Sequence, residues 1–387
     1  MFKTPAMSES PKKEQLYDMI RSNPFVSQQE LADQLHLSRS AVAGHIAGLI
    51  RERRLLGRAY VLPGRRPIAC IGAANLDRKL RSIAPLVMGT SNPARQDEAF
   101  GGVARNIAEN LARLGAPVAL TTAVGDDSSG RALLSHAQGH GIDTGATLIL
   151  ANACSGTYTA VLDGHGEMLL ALADMALYDA ITPTYLAGQS GHRPVPALTV
   201  ADLNLPLESV AALRDEAIAS GVPLVIVAVS QPKMARLPLD LRGVRLLILN
   251  HGELESRIGA PIRTDAEFAA ACALVQAQGA QDVIVTRGGA GLFYTRPDQF
   301  GVAQLAALDA TVVDVTGAGD AFAAGVCWSL HAGSDDLDLA CRRGLKLSAL
   351  TLACAETVCP WLDPASLDDV DAGAGARDAR FNALFQP

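Results

Sequence analysis

The chain has 387 residues, enough for a large buried core and too many for one small domain. No apolar run approaches the roughly 18–20 residues of a membrane span, and Met1-Phe-Lys-Thr-Pro5 carries no signal-peptide core, so a cytoplasmic protein is expected. Seven Cys without a C-x-x-C pair read as reduced thiols rather than a disulfide framework or a zinc site. Charge is uneven: residues 1–66 carry net +5 and the remainder net −12, which argues for two domains with different partners.

In chain order, Lys12 to Arg21 is an amphipathic helix with Leu16, Met19 and Ile20 on one face, and Asn23-Pro24 ends it. Ser27-Gln-Gln-Glu30 is a capping box before Leu31, Ala32 and Leu35. Ser38 caps a further helix from Arg39 to about Arg53, with Val42, Ile46, Leu49 and Ile50 inward. The run Leu55–Leu62 alternates around Gly57 as a two-strand wing would. The stretch L-A-D-Q-L-x-L-S-R-S-A-V in this frame resembles the winged helix-turn-helix of bacterial regulators. That resemblance implies DNA contact through Arg39, Ser40, Gly44 and His45 on the outward helix face. Arg51, Arg53, Arg54 and Arg58 would serve phosphate or the wing's groove. The alternative is a small helical domain used for dimer contacts, with a solvated basic face. Useful DNA affinity calls for a homodimer. The domain is placed at 1–62 and a stiff Pro-bounded linker at 63–67.

From residue 68 to 375, strand-like and helical runs alternate. Strands are expected at 68–72, 117–124, 197–201, 223–229, 244–249 and 282–286, with helices such as 103–114 and 265–278 between them. This predicts an α/β fold, a doubly wound and mainly parallel sheet with ligands at the carboxyl ends of its strands. Two segments break the alternation, roughly 78–100, rich in turn residues, and 155–172, a hairpin with a Gly-x-Gly turn. Together they read as a small β lid that excludes water from a site. Residues 376–387 form a loose tail.

The most informative stretch is Asp314-Val-Thr-Gly-Ala-Gly-Asp320, where a strand-like run, Thr311–Asp314, meets an apolar helix. Small residues at a helix start let backbone N–H groups converge on an anion. Asp320 beside them can take a hydroxyl proton, and anion hole plus base is what phosphoryl transfer to an alcohol needs. A bare Gly-Ala-Gly turn would be an ordinary strand-to-helix turn. The full string resembles the second signature of the PfkB, or ribokinase-like, family of sugar and nucleoside kinases. Phe100-Gly-Gly-Val-Ala-Arg-Asn106, a Gly-Gly turn opening a helix, resembles the first. There is no Walker A sequence.

The resemblance covers about 300 residues and implies a ribokinase-like fold with ATP and Mg²⁺ as required partners. It assigns Asp320 as base, with the backbone of Gly317, Ala318 and Gly319 receiving the transferring phosphoryl group. Gly101, Gly102 and Asn106 would approach and order the sugar. Asp77, with Asn75 beside it, can accept two hydrogen bonds from vicinal hydroxyls, and Asn204 is a further sugar contact. Asn250 and Glu253 match an N-x-x-E element that organises Mg²⁺ and phosphate largely through water. Thr286, Gly288 and Gly291 match the nucleotide loop, and Thr316 lies in the second signature. Asp314, with carbonyls near 353–357, would hold a monovalent cation such as K⁺, as in many relatives.

Within the family the likeness runs to pseudouridine kinases, through Ser91-Asn-Pro93, the Gly101–Leu111 run and Gly166–Leu169 with Ala173-Asp-Met175. Arg105 and Asp174 are expected to read a uracil edge or shape its pocket. The chain departs from those kinases at Ala228, at His251-Gly252 and at Ser155-Gly-Thr157, which leaves the base open. The expected reaction gives pseudouridine 5′-phosphate. The alternatives are a kinase for inosine, cytidine, uridine or a free sugar, and a ligand-sensing transcription factor with a kinase-like body.

Overall fold

The computed structural model describes residues 12–22, 26–56, 66–189, 195–296, 299–367 and 370. The chain divides into two compact units, Met1–Arg66 and Pro67–Pro387.

The first unit packs α1 (Lys12–Ser22), α2 (Gln28–Leu35) and α3 (Arg39–Arg51) around Leu16, Ile20, Leu31, Val42, Ile46 and Leu49. Ser27 and Glu30 form the expected reciprocal cap, and Ser38 accepts from the Ala41 N–H. α3 stops at Arg51, short of the expected Arg53, which takes a left-handed φ of 55°. Residues 57–65, which hold most of the expected wing with Arg58 and most of the linker, lie outside the described residues, as does the tail beyond 370.

In the second unit the strands are β1 (Ile68–Ile71), β2 (Asn75–Ser82), β3 (Ala94–Gly101), β4 (Val118–Thr121), β5 (Ala123–Gly125), β6 (Leu148–Leu150) and β7 (Thr157–Leu162). There follow β8 (Met168–Asp174), β9 (Leu198–Asp202), β10 (Leu224–Val227), β11 (Val244–Asn250), β12 (Asp282–Thr286), β13 (Leu292–Arg296) and β14 (Gln299–Leu305). The helices are α4 (Val103–Arg113), α5 (Ser128–Gly139), α6 (Pro183–Gln189), α7 (Leu207–Ser220), α8 (His251–Ile258), α9 (Asp265–Ala277), α10 (Ala318–His331) and α11 (Leu337–Leu352).

Eight strands form the main sheet in the order β14-β13-β12-β11-β10-β9-β1-β4, parallel from β12 to β4 and antiparallel at the β13–β14 edge. The two-residue period of a strand decides which core each side chain enters. Val225 and Val227 of β10 join Ile107, Leu111, Phe322, Val326 and Leu347 from α4, α10 and α11. Leu224 and Ile226 join Val210, Leu213, Leu254, Phe268 and Val275 from α7, α8 and α9. Both faces are therefore covered, as the near-continuous apolar strands required.

The lid is a four-stranded sheet, β3-β2-β7-β8, with the expected hairpin as its β7–β8 half. Two expectations change. The edge pair β13–β14 was not among the expected strands. Thr311–Asp314 is not a strand: it finds no ladder, and the Val313 N–H bonds the Leu352 carbonyl at 2.8 Å. A β-branched run reads as a strand, but pairing decides whether it becomes one. Among the described residues, no helix is long and apolar enough to cross a membrane. All seven cysteines are free.

Candidate active site

The site is assembled at the carboxyl ends of β1, β9, β11 and β12, under the lid. Gly317 is the N-cap of α10 at φ 80°, and a Cβ there would stand 2.0 Å from the Thr357 carbonyl, so only glycine permits this approach. No side chain caps α10, which leaves first-turn N–H groups open to an anion. Asp320 lies in that turn, half-buried. Burial pushes its carboxyl up to about 7, the Asp202 and Asp77 charges add to the rise, and hydrogen bonding from Asn106 and the Arg105 charge oppose it.

α4 brings the second half of the site. Gly102 caps it at φ 99°, and a Cβ there would meet the Ala73 carbonyl at 2.4 Å. The buried Asn106 donates from Nδ2 to Asp320 Oδ2 at 2.7 Å. The two signatures therefore meet directly, across 214 positions. Arg105 was expected at a base edge. Its guanidinium is instead buried and committed to Phe100 O, Asn106 Oδ1 and Glu109.

β2 runs between β3 and β7 in the lid. Asn75 and Asp77 stand on it two positions apart, with Asn75 Nδ2 donating to Asp77 Oδ1 at 2.6 Å. Asp77 pairs across the lid with Ala99, and a Cβ on Gly101 would meet its carboxylate at 2.2 Å. Burial raises the Asp77 carboxyl, against opposing contributions from Asn75, Arg105 and Lys79. Two positions on, Lys79 forms an ion pair with Asp314 Oδ2 and donates to Thr316 Oγ1 at 3.3 Å. Asp314 Oδ1 accepts from the Thr316 N–H at 2.9 Å and hydroxyl at 2.6 Å.

Asp202, not singled out in the sequence, organises the floor. Its Oδ2 accepts from the N–H groups of Ala73 and Ala104, each at 2.9 Å, and its Oδ1 from the Asn204 N–H at 2.8 Å. Burial raises its carboxyl despite these donors. A carboxylate ending the apolar strand Leu198–Asp202 was the available signal. Asn204 is buried beside it. Asp174 ends the outer lid strand, exposed, opposite Thr157.

Asn250 and Thr286, expected at the nucleotide, are register partners at the tips of β11 and β12. They line a cleft of about 410 Å³ with His251, Arg263, Arg287 and Gly288. Glu253 Oε2 accepts from the Asn250 N–H at 2.7 Å, while Asn250 Oδ1 accepts from the Glu253 N–H at 3.0 Å. Gly291, at φ 84°, lies where a Cβ would stand 2.0 Å from the Leu305 carbonyl.

The pfkB family carbohydrate kinase profile matches residues 65–363. The chain belongs to the pfkB family. It is a sugar or nucleoside kinase, a phosphotransferase with an alcohol acceptor. The uncharacterized sugar kinase YeiI of Escherichia coli K12 is 32% identical over 83% of this chain and 88% of its own length. A pseudouridine kinase of the same organism is 34% identical over 67% of this chain and 83% of its own length. A carbohydrate kinase from Agrobacterium tumefaciens superposes with TM-score 0.66 at 27% identity, covering 79% of this chain and 96% of that one. Arabidopsis thaliana ribokinase complexed with ribose and ATP shares the fold, with TM-score 0.66 at 19% identity over 79% and 99% of the two chains. A winged helix-turn-helix DNA-binding profile matches residues 10–52 of this pfkB protein.

In the first unit Arg39, Ser40 and Gly44 are exposed and His45 is half-buried. Arg54, expected at phosphate, is held elsewhere: it grips Glu14 through two bonds of 2.7 and 2.8 Å and lies 4.0 Å over the Tyr17 ring.

Proposed function

We propose that this pfkB protein transfers the γ-phosphoryl group of ATP to the 5′-hydroxyl of pseudouridine, and that its first unit binds DNA as part of a homodimer. The Asp320–Asn106 pair at the uncapped start of α10 carries the reading. Asp320 takes the 5′-hydroxyl proton, the oxygen bonds the γ-phosphorus, and the bond to the β–γ bridging oxygen breaks to release ADP. First-turn N–H groups of α10 stabilise charge on the transferring group. Asp77, with Asn75, grips the ribose hydroxyls, and the lid keeps water from the phosphoryl group.

Preference for pseudouridine rests on the pseudouridine kinase relative and on the motif stretches shared with such enzymes. A free sugar is the second reading, because a carboxylate on vicinal hydroxyls serves a nucleoside and a sugar alike and one relative is a sugar kinase.

Asn250 lines the cleft beside Thr286 and would meet magnesium through water, while the buried Glu253 holds Asn250 in place. Magnesium would supply neutralisation of the nucleotide's phosphates. Asp314 does not fit a monovalent cation beside Lys79, because both its oxygens are occupied. No step is assigned to such an ion.

The test is ATP-dependent phosphorylation of pseudouridine, uridine, cytidine, inosine, ribose and fructose. Strong preference for pseudouridine supports the reading. Preference for another acceptor keeps the Asp320 chemistry and discards the substrate. No turnover of any acceptor favours a ligand sensor.

A further inference from the structure

Asp320 accepts a hydrogen bond from Asn106, which is itself held by Arg105. Asn106 has one donating and one accepting end, and the two lie against different neighbours. Its Oδ1 receives Arg105 Nη1 at 2.5 Å, and its Nδ2 donates to Asp320 Oδ2 at 2.7 Å. A reversed amide would set its oxygen against the carboxylate and its NH₂ against the guanidinium, two repulsive contacts. Arg105 therefore fixes which end of Asn106 faces the base.

Arg105 is itself held on every side. It is 3% exposed, and Nη1 also donates to Phe100 O at 2.8 Å and lies 3.4 Å from Thr357 Oγ1. Nη2 pairs with Glu109 and stands 3.5 Å from His136 Nδ1. Glu109 is 2% exposed and anchored from behind by Arg113 at 2.8 Å, with His136 and His140 at 3.7 and 3.5 Å. Both terminal nitrogens of this buried guanidinium are thus turned to protein groups rather than to a uracil edge.

We infer that Arg105, clamped by Glu109, is a positioning residue that orients Asn106 toward Asp320 and takes no part in selecting the nucleobase. The inference rests on Asp320 being the base. The groups bearing on Asp320 are Asn106 and Arg105 on α4, Asp77 on β2 and Asp202 on β9. Those bearing on Arg105 are Glu109, Arg113, Asp77, Asp320 and, on α5, His136. Losing the Arg105 cation and loosening the Asn106 donor both weaken the charged form of Asp320. Both push the acid limb of the rate profile to higher pH.

The experiment compares full-length wild type with Arg105→Gln and Arg105→Lys, measuring kcat and KM against pH for two nucleosides. For Arg105→Gln, the acid limb of kcat moves up by about one pH unit, which lowers kcat at neutral pH about fivefold. Activity recovers toward alkaline pH, while KM and the ratio of kcat/KM between the nucleosides stay unchanged. Arg105→Lys keeps the charge but not the fork and gives a smaller shift in the same direction. It carries the test alone if the Gln variant does not fold. A changed nucleoside ratio with an unmoved limb overturns the inference and returns Arg105 to base reading. A superimposable profile also overturns it, leaving Arg105 as packing. Wild type that phosphorylates no acceptor overturns the kinase reading, and the inference with it.

Discussion

The body and the lid hold charge around one cleft by different means. On the body side, the half-buried Asp320 ends a chain of the buried Asn106, Arg105 and Glu109 in which each side chain is fixed by the next. On the lid side, Asn75, Asp77 and Lys79 ride on one strand at alternate positions, half-exposed from Asp77 onward. A buried network tolerates little loss, because each removed partner leaves another unsatisfied. A strand-borne set can move with the lid and loses contacts one at a time. On the proposed function, the chemistry belongs to the body and substrate capture to the lid.

The largest effect expected is at Asp320. Asp320→Ala should lower kcat by about 10²–10⁴-fold with a nearly unchanged melting temperature. Because the base acts as carboxylate and its carboxyl lies at about 7, wild-type kcat should rise with pH through that value and the residual rate should not. A residual rate that keeps this limb would remove Asp320 from the mechanism and break the contrast.

Asp77→Ala should act mainly on capture, raising the acceptor KM by about 10–100-fold, the worth of about 1.5–3 kcal/mol in charged hydrogen bonds, with kcat changed much less. Loss confined to kcat would show that the lid shares in the chemistry.

Lys79→Ala should cost less, a few-fold in kcat/KM, since one exposed-side ion pair to Asp314 is removed. It should also make the protein responsive to K⁺, seen as a rise in melting temperature with KCl over choline chloride that wild type lacks. Equal K⁺ response in both proteins would show that Lys79 does not fill the Asp314 site.

The smallest effect on turnover is expected at the root of the lid. Ser155 donates to Asp127 Oδ1 at 2.7 Å and accepts from the Gly125 N–H at 3.0 Å. Ser155→Ala should lower unfolding free energy by about 1–3 kcal/mol in urea titration while leaving acceptor preference intact. A changed preference would mean that this root sets lid position.

Much of this was legible in the sequence because its grammar is local. The Ser27–Glu30 cap closes within three residues. Asp320 follows Gly317 closely enough that the glycine turn, the helix start and the base form one readable unit. Strand positions followed from apolar runs that both layers bury. The tertiary structure decided what distant residues do to one another. It paired Lys79 with Asp314 across 235 positions and set Asp202 beneath Ala104 across 98. It withdrew Arg105 into Glu109, paired Arg54 with Glu14 and left Thr311–Asp314 without a strand partner. A guanidinium or carboxylate reads the same in sequence whether it faces solvent, ligand or another charge. Only packing removes it from water, and burial then selects its partner.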